Sequence, residues 1–209
     1  MKRKMKKFIL VIMTILMGSG LYADGIKLMG GLNLLKYSFS SSENNVDWGY
    51  KLGFCVGAGI EFDLTYSGTV AIEVDGLLIQ RNGSKIEDPD SPDLNPNYNL
   101  SFLCIPVLVR LRFKSESPLY LLGGGELSVI MSHKFGTKEE ELADLKEDTP
   151  TFDYGLVVGC GFKIGINDFQ DFFIEGRYHF GFVNLWKNID KNTSLKNNVI
   201  LVILGIKTY

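Results

Sequence analysis

Alternation of apolar and polar residues is the feature that most limits what this chain can fold into. Successive side chains of a β-strand point to opposite faces, so alternation with period two indicates strands whose two faces meet different surroundings. Eight such stretches, each bounded by turn-forming residues, lie at 25–37, 48–64, 68–81, 98–113, 118–132, 151–165, 171–183 and 198–209. The chain is therefore predicted to be all-β.

The links between these stretches alternate in length. Three are tight turns, at 65–67, 114–117 and 166–170. Four are long and rich in Asn, Asp, Ser, Lys and Glu, near 38–47, 82–97, 133–150 and 184–197. If neighbouring strands pair in chain order, every long link lies at the same end. This is the plan of an eight-stranded antiparallel up-and-down transmembrane β-barrel with short periplasmic turns and long outer loops.

The glycines indicate which face of each strand is inside. In the stretch 151–165 the apolar face alternates with a face that is mostly glycine, and 48–64 repeats the pattern. A water-facing surface has no need of glycine, whereas the crowded interior of a narrow barrel needs small residues. The apolar faces are therefore expected to meet lipid, in a closed barrel that leaves no backbone group unpaired. The alternative is a soluble, lipocalin-like lipid carrier with the faces inverted.

The aromatic residues are expected to form interface girdles, because they fall near the strand ends. At the loop end these are Trp48, Tyr50, Phe152, Tyr154 and Phe182. At the turn end they are Phe62, Phe113, Phe162 and Phe172.

The same assignment of faces places charged side chains of both signs inside the barrel. We expect a polar network of Lys51, Glu73, Arg110, Glu126, Asp153, Glu175 and Arg177. Arg110, Arg177, Glu73 and Glu175 are expected at its centre. Since eight strands leave an interior that side chains just fill, we expect a plugged barrel and no open pore.

The first 23 residues have the features of an export signal. A basic start is followed by an apolar run of 10 residues and by Leu21-Tyr22-Ala23 as a cleavage site. We expect residues 1–23 to be removed and residues 24–209 to form one barrel domain. The mature part then has 17 Lys and Arg against 24 Asp and Glu, a net charge of −7. An acidic chain without a basic stripe argues against nucleic acid as a partner.

No catalytic, cofactor-binding or metal-binding motif is found. Cys55, Cys104 and Cys160 are far apart and are expected to be small buried residues, although one pair could form a disulfide. The only histidines, His133 and His179, lack a nucleophile-elbow or deacylase-like pattern. We expect a protein that is not an enzyme. The less favoured alternative is a lipid A-modifying enzyme that uses His179.

The order and spacing of the strand motifs resemble those of the PorT-like outer-membrane β-barrel domain family. The resembling segments are Gly25-Ile26-Lys27, Gly31-Leu32-Asn33, Leu103-Cys104-Ile105-Pro106, Phe152-Asp153-Tyr154-Gly155-Leu156, Gly159-Cys160-Gly161, Phe173-Ile174-Glu175-Gly176-Arg177-Tyr178 and Leu204-Gly205-Ile206-Lys207. The resemblance implies the same eight-stranded barrel. The chain departs from the family at Cys104, where Glu is common, and at Thr208-Tyr209, which extend the usual ending and leave the phase of the last strand open.

These observations together predict a protein of the bacterial outer membrane with a structural or surface-binding role. Its expected surroundings are outer-membrane lipid and lipopolysaccharide. The terminal Tyr209 resembles the assembly signal of outer-membrane barrels, so the barrel-assembly machinery is expected as a transient partner. We expect a monomer whose specific contacts are made by the four outer loops.

Overall fold

The structure is a computed structural model that describes residues 23–40, 51–82, 97–114, 116–136, 143–144, 151–183 and 194–209. The strands of this part of the chain are β1 (Gly25–Ser40), β2 (Lys51–Asp63), β3 (Val70–Asn82), β4 (Asn97–Arg112), β5 (Leu119–Gly136), β6 (Ala143–Asp144), β7 (Phe152–Asn167), β8 (Gln170–Gly181) and β9 (Ser194–Thr208). No helix long and apolar enough to cross a membrane occurs within the described ranges.

The strands form one closed antiparallel sheet. The long strands pair in chain order, with β5 pairing with β7, and the pairing of β1 with β9 closes the ring. The two-residue strand β6 adds only a short pairing with Lys134 and Phe135 of β5. The predicted fold class, an eight-stranded antiparallel up-and-down barrel, is confirmed.

Each predicted strand corresponds to an observed one, and the main differences lie at the outer ends. β1 and β9 pair as far as Ser40 and Ser194, whereas alternation predicted ends at 37 and 198. β5 continues to Gly136, beyond its predicted end at 132. Backbone hydrogen bonds do not depend on side-chain polarity, so the ladder runs on after the alternation is lost.

The outer wall of the barrel is apolar. Leu28, Phe54, Leu156 and Val202 are about half exposed, and outward-pointing Leu, Val, Ile and Phe residues recur on all eight long strands. Residues between them in sequence are buried, as the pattern along Gln170–Gly181 shows. Hydrocarbon is the medium that such a wall requires. The soluble alternative, which needs a charged exterior, is therefore wrong.

Two predictions about side-chain position were wrong. Phe62, expected in the turn-end girdle, is only 4% exposed. The alternation of buried and exposed residues is lost there, since Glu61 and Phe62 are both buried. At the same place the backbone N–H of Asp24 bonds to Glu61 O. Cys160, expected to be buried, is exposed on the outer wall, because it shares the face of Leu156.

The other aromatic residues expected in the girdles differ in exposure. Phe152, Tyr154, Phe182, Phe113 and Phe162 are exposed on the outer wall. Phe172 is half-buried, while Trp48 and Tyr50 lie outside the described residues.

The seam between β3 and β4 has a local gap. Val74 pairs with Val107 and Leu77 with Cys104, but the two positions between them form no bridge. Pro106 lies in this gap, and proline has no backbone N–H to donate to a ladder. Its side chain is buried inside the barrel opposite Glu126 of β5.

Candidate functional site

Arg177 of β8 is at the centre of a group of charges inside the barrel. The residue is 3% exposed. Its Nη1 donates to Asp75 Oδ2 at 2.7 Å and its Nη2 to Glu73 Oε1 at 2.6 Å. Its Nε donates to Glu175 Oε2 at 2.8 Å. Charge-assisted hydrogen bonds of this length are strong, so Arg177 joins β3 and β8 across the lumen.

Two further residues complete this group. Lys27 Nζ lies 2.8 Å from both Glu73 Oε1 and Glu175 Oε1. The hydroxyl of Tyr120 donates to Glu175 Oε1, also at 2.8 Å. We call the set the Arg177 cluster: Lys27, Glu73, Asp75, Tyr120, Glu175 and Arg177.

A second group lies closer to the turn end. Arg110 Nη2 is 2.6 Å from Glu61 Oε1 and 3.0 Å from Asp63 Oδ1. Lys207 Nζ donates to the same Glu61 oxygen. These four residues, the Arg110 cluster, connect β2, β4 and β9, and their two cations match their two carboxylates.

A third group contains His179, which is fully buried. His179 Nε2 lies 3.4 Å from Glu126 Oε1. Ser128 Oγ donates to the same Glu126 oxygen at 2.8 Å and lies 3.1 Å from Cys104 Sγ. The Glu126 carboxylate therefore lies between the serine and the histidine.

A fourth group, at the turn end, contains Tyr209, Lys163 and Asp171. Lys163 Nζ donates to the Tyr209 hydroxyl at 2.8 Å and lies 2.7 Å from Asp171 Oδ2. The Tyr209 hydroxyl in turn donates to Asp171, and Lys207 Nζ lies 4.3 Å from the centre of the tyrosine ring. Partial burial and the Asp171 carboxylate raise the pKa of Tyr209 above its usual value.

Glycines on neighbouring strands make room for the large lumen side chains. A Cβ on Gly59 would lie 1.9 Å from Asp75 Oδ1, and one on Gly161 would lie 2.2 Å from the Tyr120 ring. Each pair faces directly across adjacent strands. The glycine faces seen in the sequence are therefore the spaces that the polar side chains fill.

The structure places most of the expected lumen network inside the barrel. Glu73, Arg110, Glu126, Asp153, Glu175 and Arg177 are all at most 6% exposed. Lys51 begins β2, and its side chain lies outside the described part of the chain. Of the four residues expected at the centre, Glu73, Glu175 and Arg177 meet, whereas Arg110 belongs to a separate cluster.

Sequence reasoning missed several lumen residues. Lys207, Tyr120 and Asp171 are buried and bonded within these groups. Polarity alternates from Val199 to Lys207 and could have placed Lys207 inside. Because Thr208-Tyr209 extend the usual ending, the inner face of that strand was not assigned. Of a buried apolar cluster, sequence reasoning predicted only Cys55 and Cys104. The members it missed are Met29, Leu77, Ile79, Phe102, Ile130, Phe173, Val199, Leu201 and Ile203.

The described residues contain no group of three His, Cys, Asp or Glu arranged to hold a metal ion. Their cysteines are all free thiols, with Cys55 and Cys104 buried and Cys160 exposed. Cys55 and Cys104 are on strands separated by β3, where Ile79 and Leu77 are their respective cross-strand partners.

Several solved outer-membrane proteins are similar in fold. Neisserial surface protein A has 14% identity and a TM-score of 0.47, with coverage of 88% of this chain and 96% of that one. Ail of Yersinia pestis, solved with the heparin analogue sucrose octasulfate, has 14% identity and a TM-score of 0.45, covering 88% and 98%. OprG of Pseudomonas aeruginosa has 15% identity and a TM-score of 0.43, covering 90% and 97%. Such values carry no inference about function.

Comparison with protein families is more decisive. No curated protein matches the sequence significantly. The family model for the outer membrane protein beta-barrel domain matches residues 25–187, which is most of the chain. The chain belongs to the outer membrane protein beta-barrel domain family and is a protein of the bacterial outer membrane.

Proposed function

We propose that this protein is a plugged, non-enzymatic barrel that serves the outer membrane as a structural element or as a surface-binding platform. The observation that carries the proposal is the network of buried charges inside the barrel. Arg110 and Arg177, at 2% and 3% exposure, each bond to more than one carboxylate from another strand. An ion crossing the lumen would have to displace these side chains, since eight strands leave little further space.

The His179 group supports a role without catalysis. A serine triad needs the histidine to contact the serine directly while the carboxylate holds its other nitrogen. Here the Glu126 carboxylate lies between Ser128 and His179. All three side chains are buried, so a lipid substrate has no approach to them.

The proposal includes the expected surroundings and partners. The apolar outer wall fits outer-membrane lipid, with lipopolysaccharide in the outer leaflet. The membrane-barrel fold supports transient recognition by the barrel-assembly machinery, and we propose a monomer. The motifs described above support membership of the PorT-like group within the family. A role in protein secretion does not follow from the fold.

Bilayer recordings test whether the lumen is plugged. The protein would be purified from outer membranes, checked for a heat-dependent gel shift, and added to planar lipid bilayers in potassium chloride. We expect no steady conductance steps above those of an empty bilayer. Stable ohmic steps from the heat-modifiable protein would contradict the plugged lumen.

A genetic experiment separates the two proposed roles. A deletion strain would be complemented with the full chain or with a variant in which segments 83–96 and 137–150 are shortened. If both restore resistance to detergents and large antibiotics, the role is structural. If only the full chain restores this resistance, the outer segments carry a binding function. Altered lipid A in the deletion strain, restored by the native protein but not by His179→Ala, would instead support the enzyme alternative.

A further inference from the structure

Two carboxylate oxygens in the Arg177 cluster accept no hydrogen bond. Glu73 uses Oε1 for both Lys27 and Arg177, and Asp75 uses Oδ2 for Arg177. Glu73 Oε2 and Asp75 Oδ1 are both buried without a donor. Both oxygens of Glu175, by contrast, accept hydrogen bonds.

The cluster is also unbalanced in charge. Glu73, Asp75 and Glu175 supply three negative charges, while Lys27 and Arg177 supply two positive ones. In the neighbouring Arg110 cluster, Arg110 and Lys207 are already paired with Glu61 and Asp63, so these two cations do not compensate for the difference. A buried uncompensated charge is strongly unfavourable, and a carboxyl group in this position is neutralised by taking up a proton.

The positions of the two residues suit a shared proton. Glu73 and Asp75 are two apart on β3, so they lie on the same face. Their carboxylates are also held together by one guanidinium, because Arg177 Nη2 bonds to Glu73 and Arg177 Nη1 to Asp75. Gly59 lies against Asp75 Oδ1, where even a Cβ would be 1.9 Å away. The space beside this oxygen is therefore narrow.

We propose that Glu73 and Asp75 together bind one proton in the native barrel at neutral pH. The ligand of this site is a single proton, held in a hydrogen bond between Glu73 Oε2 and Asp75 Oδ1. It neutralises the Arg177 cluster and supplies the donor that both oxygens lack. The charged and titratable groups of the surrounding strands are Lys27, Cys55, Glu61, Asp63, Cys104, Arg110, Arg112, Tyr120, Glu126, Asp153, Lys163, Asp171, Glu175, Arg177, His179 and Lys207.

The site makes stability depend on pH. In the unfolded chain both carboxyl groups are ionised at neutral pH, so unfolding releases the proton. While the native site stays protonated, each rise of one pH unit therefore favours unfolding by about tenfold in the equilibrium constant. The dependence ends at the pH where the native barrel also loses the proton.

Infrared spectroscopy of the folded barrel tests the site directly. The native protein at pH 7 should show the carbonyl stretch of a buried carboxylic acid, shifted in heavy water. Asp75→Asn and Glu73→Gln should each lack this band, because either amide can donate to the remaining carboxylate and the cluster is then neutral without a proton. Glu126→Gln, outside the cluster, is the matched control and should retain the band.

Unfolding measurements provide the second readout. Between pH 6 and pH 8, the unfolding equilibrium constant of the native barrel should rise with pH more steeply than that of Asp75→Asn. The difference should be about tenfold per pH unit. Absence of the band from the native protein, or its persistence in both Asp75→Asn and Glu73→Gln, would overturn the proposal. So would stability that depends on sodium chloride but not on choline chloride, since a metal cation would then neutralise the site.

Discussion

Replacement of Arg177 by methionine tests whether the buried charges hold the barrel together. The change removes a guanidinium that bonds to Asp75, Glu73 and Glu175 at distances of 2.6–2.8 Å. Methionine is close in volume to arginine, so the main loss is the charge and its donors. Breaking a buried ion pair by removing one partner costs about 3–5 kcal/mol, because the other charge is left uncompensated. Since three carboxylates share this cation, we expect a cost of about 4–5 kcal/mol.

The assay is urea unfolding of the barrel in lipid vesicles, followed by the gel mobility of unboiled samples. A loss of about 4 kcal/mol corresponds to roughly a thousandfold change in the unfolding equilibrium constant. Lys163→Met is the matched control, because its salt bridge with Asp171 lies at the partly exposed mouth, with 19% of the lysine side chain accessible. Because this pair is partly exposed and Tyr209 still donates to Asp171, Lys163→Met should cost less than Arg177→Met.

A double-mutant cycle separates the ionic contribution from lost packing. Glu175→Gln removes one of the negative charges that Arg177→Met leaves unpaired, so the double variant should cost less than the sum of the two single changes. An Arg177→Met barrel that folds and loses less than about 1 kcal/mol would refute the reasoning, since a surface charge could then explain the effect.

Three further substitutions test the positions of side chains in the wall. Gly161→Ala should lower stability by about 1–3 kcal/mol, because its Cβ would overlap the ring of Tyr120. Gly176→Ala should have no effect, because its Cβ would have nothing within 4 Å. Val158→Arg, on the outer wall at the middle of β7, should cost about 2–4 kcal/mol in vesicles, and no loss would contradict a lipid-facing position. Phe62→Ala should lower the free energy of unfolding in urea by about 3–5 kcal/mol. Phe113→Ala, at a residue that is 71% exposed, should lower it much less. Equal losses would contradict the burial of Phe62.

The sequence predicted the strands, their order and, in all but the last strand, which face is inside, because these features follow from local patterns. Period-two alternation gives the faces, and the alternating link lengths give the topology. Contacts within the lumen could not be predicted in this way. Lys27 meets Glu175, which is 148 residues away, only because the barrel closes. The exposure of Cys160 followed from the phase of its strand, whereas the general tendency of cysteines to be buried predicted the wrong position.

The face of a strand on which a residue lies could be predicted from sequence. Which lumen residues meet in one cluster depends instead on how far neighbouring strands are shifted along each other. Arg110 and Arg177 share the lumen, yet their partners come from different strands: Glu61 and Asp63 of β2 in one case, and mainly Glu73 and Asp75 of β3 in the other. Adjacent strands carry Glu61 and Glu73 opposite each other. Two facing carboxylates repel unless each has its own cation, so this pairing itself requires two separate clusters.

The glycine faces and the charged faces of the strands depend on each other. Eight strands enclose little space, so several large inward residues lie opposite a glycine on one neighbouring strand. Examples are Asp75 opposite Gly59, Tyr120 opposite Gly161 and Arg177 opposite Gly159. The outer wall lacks this constraint, because lipid adapts to any apolar side chain. Substitutions that conserve polarity but enlarge an inward glycine should therefore be less tolerated than changes among apolar residues on the lipid face.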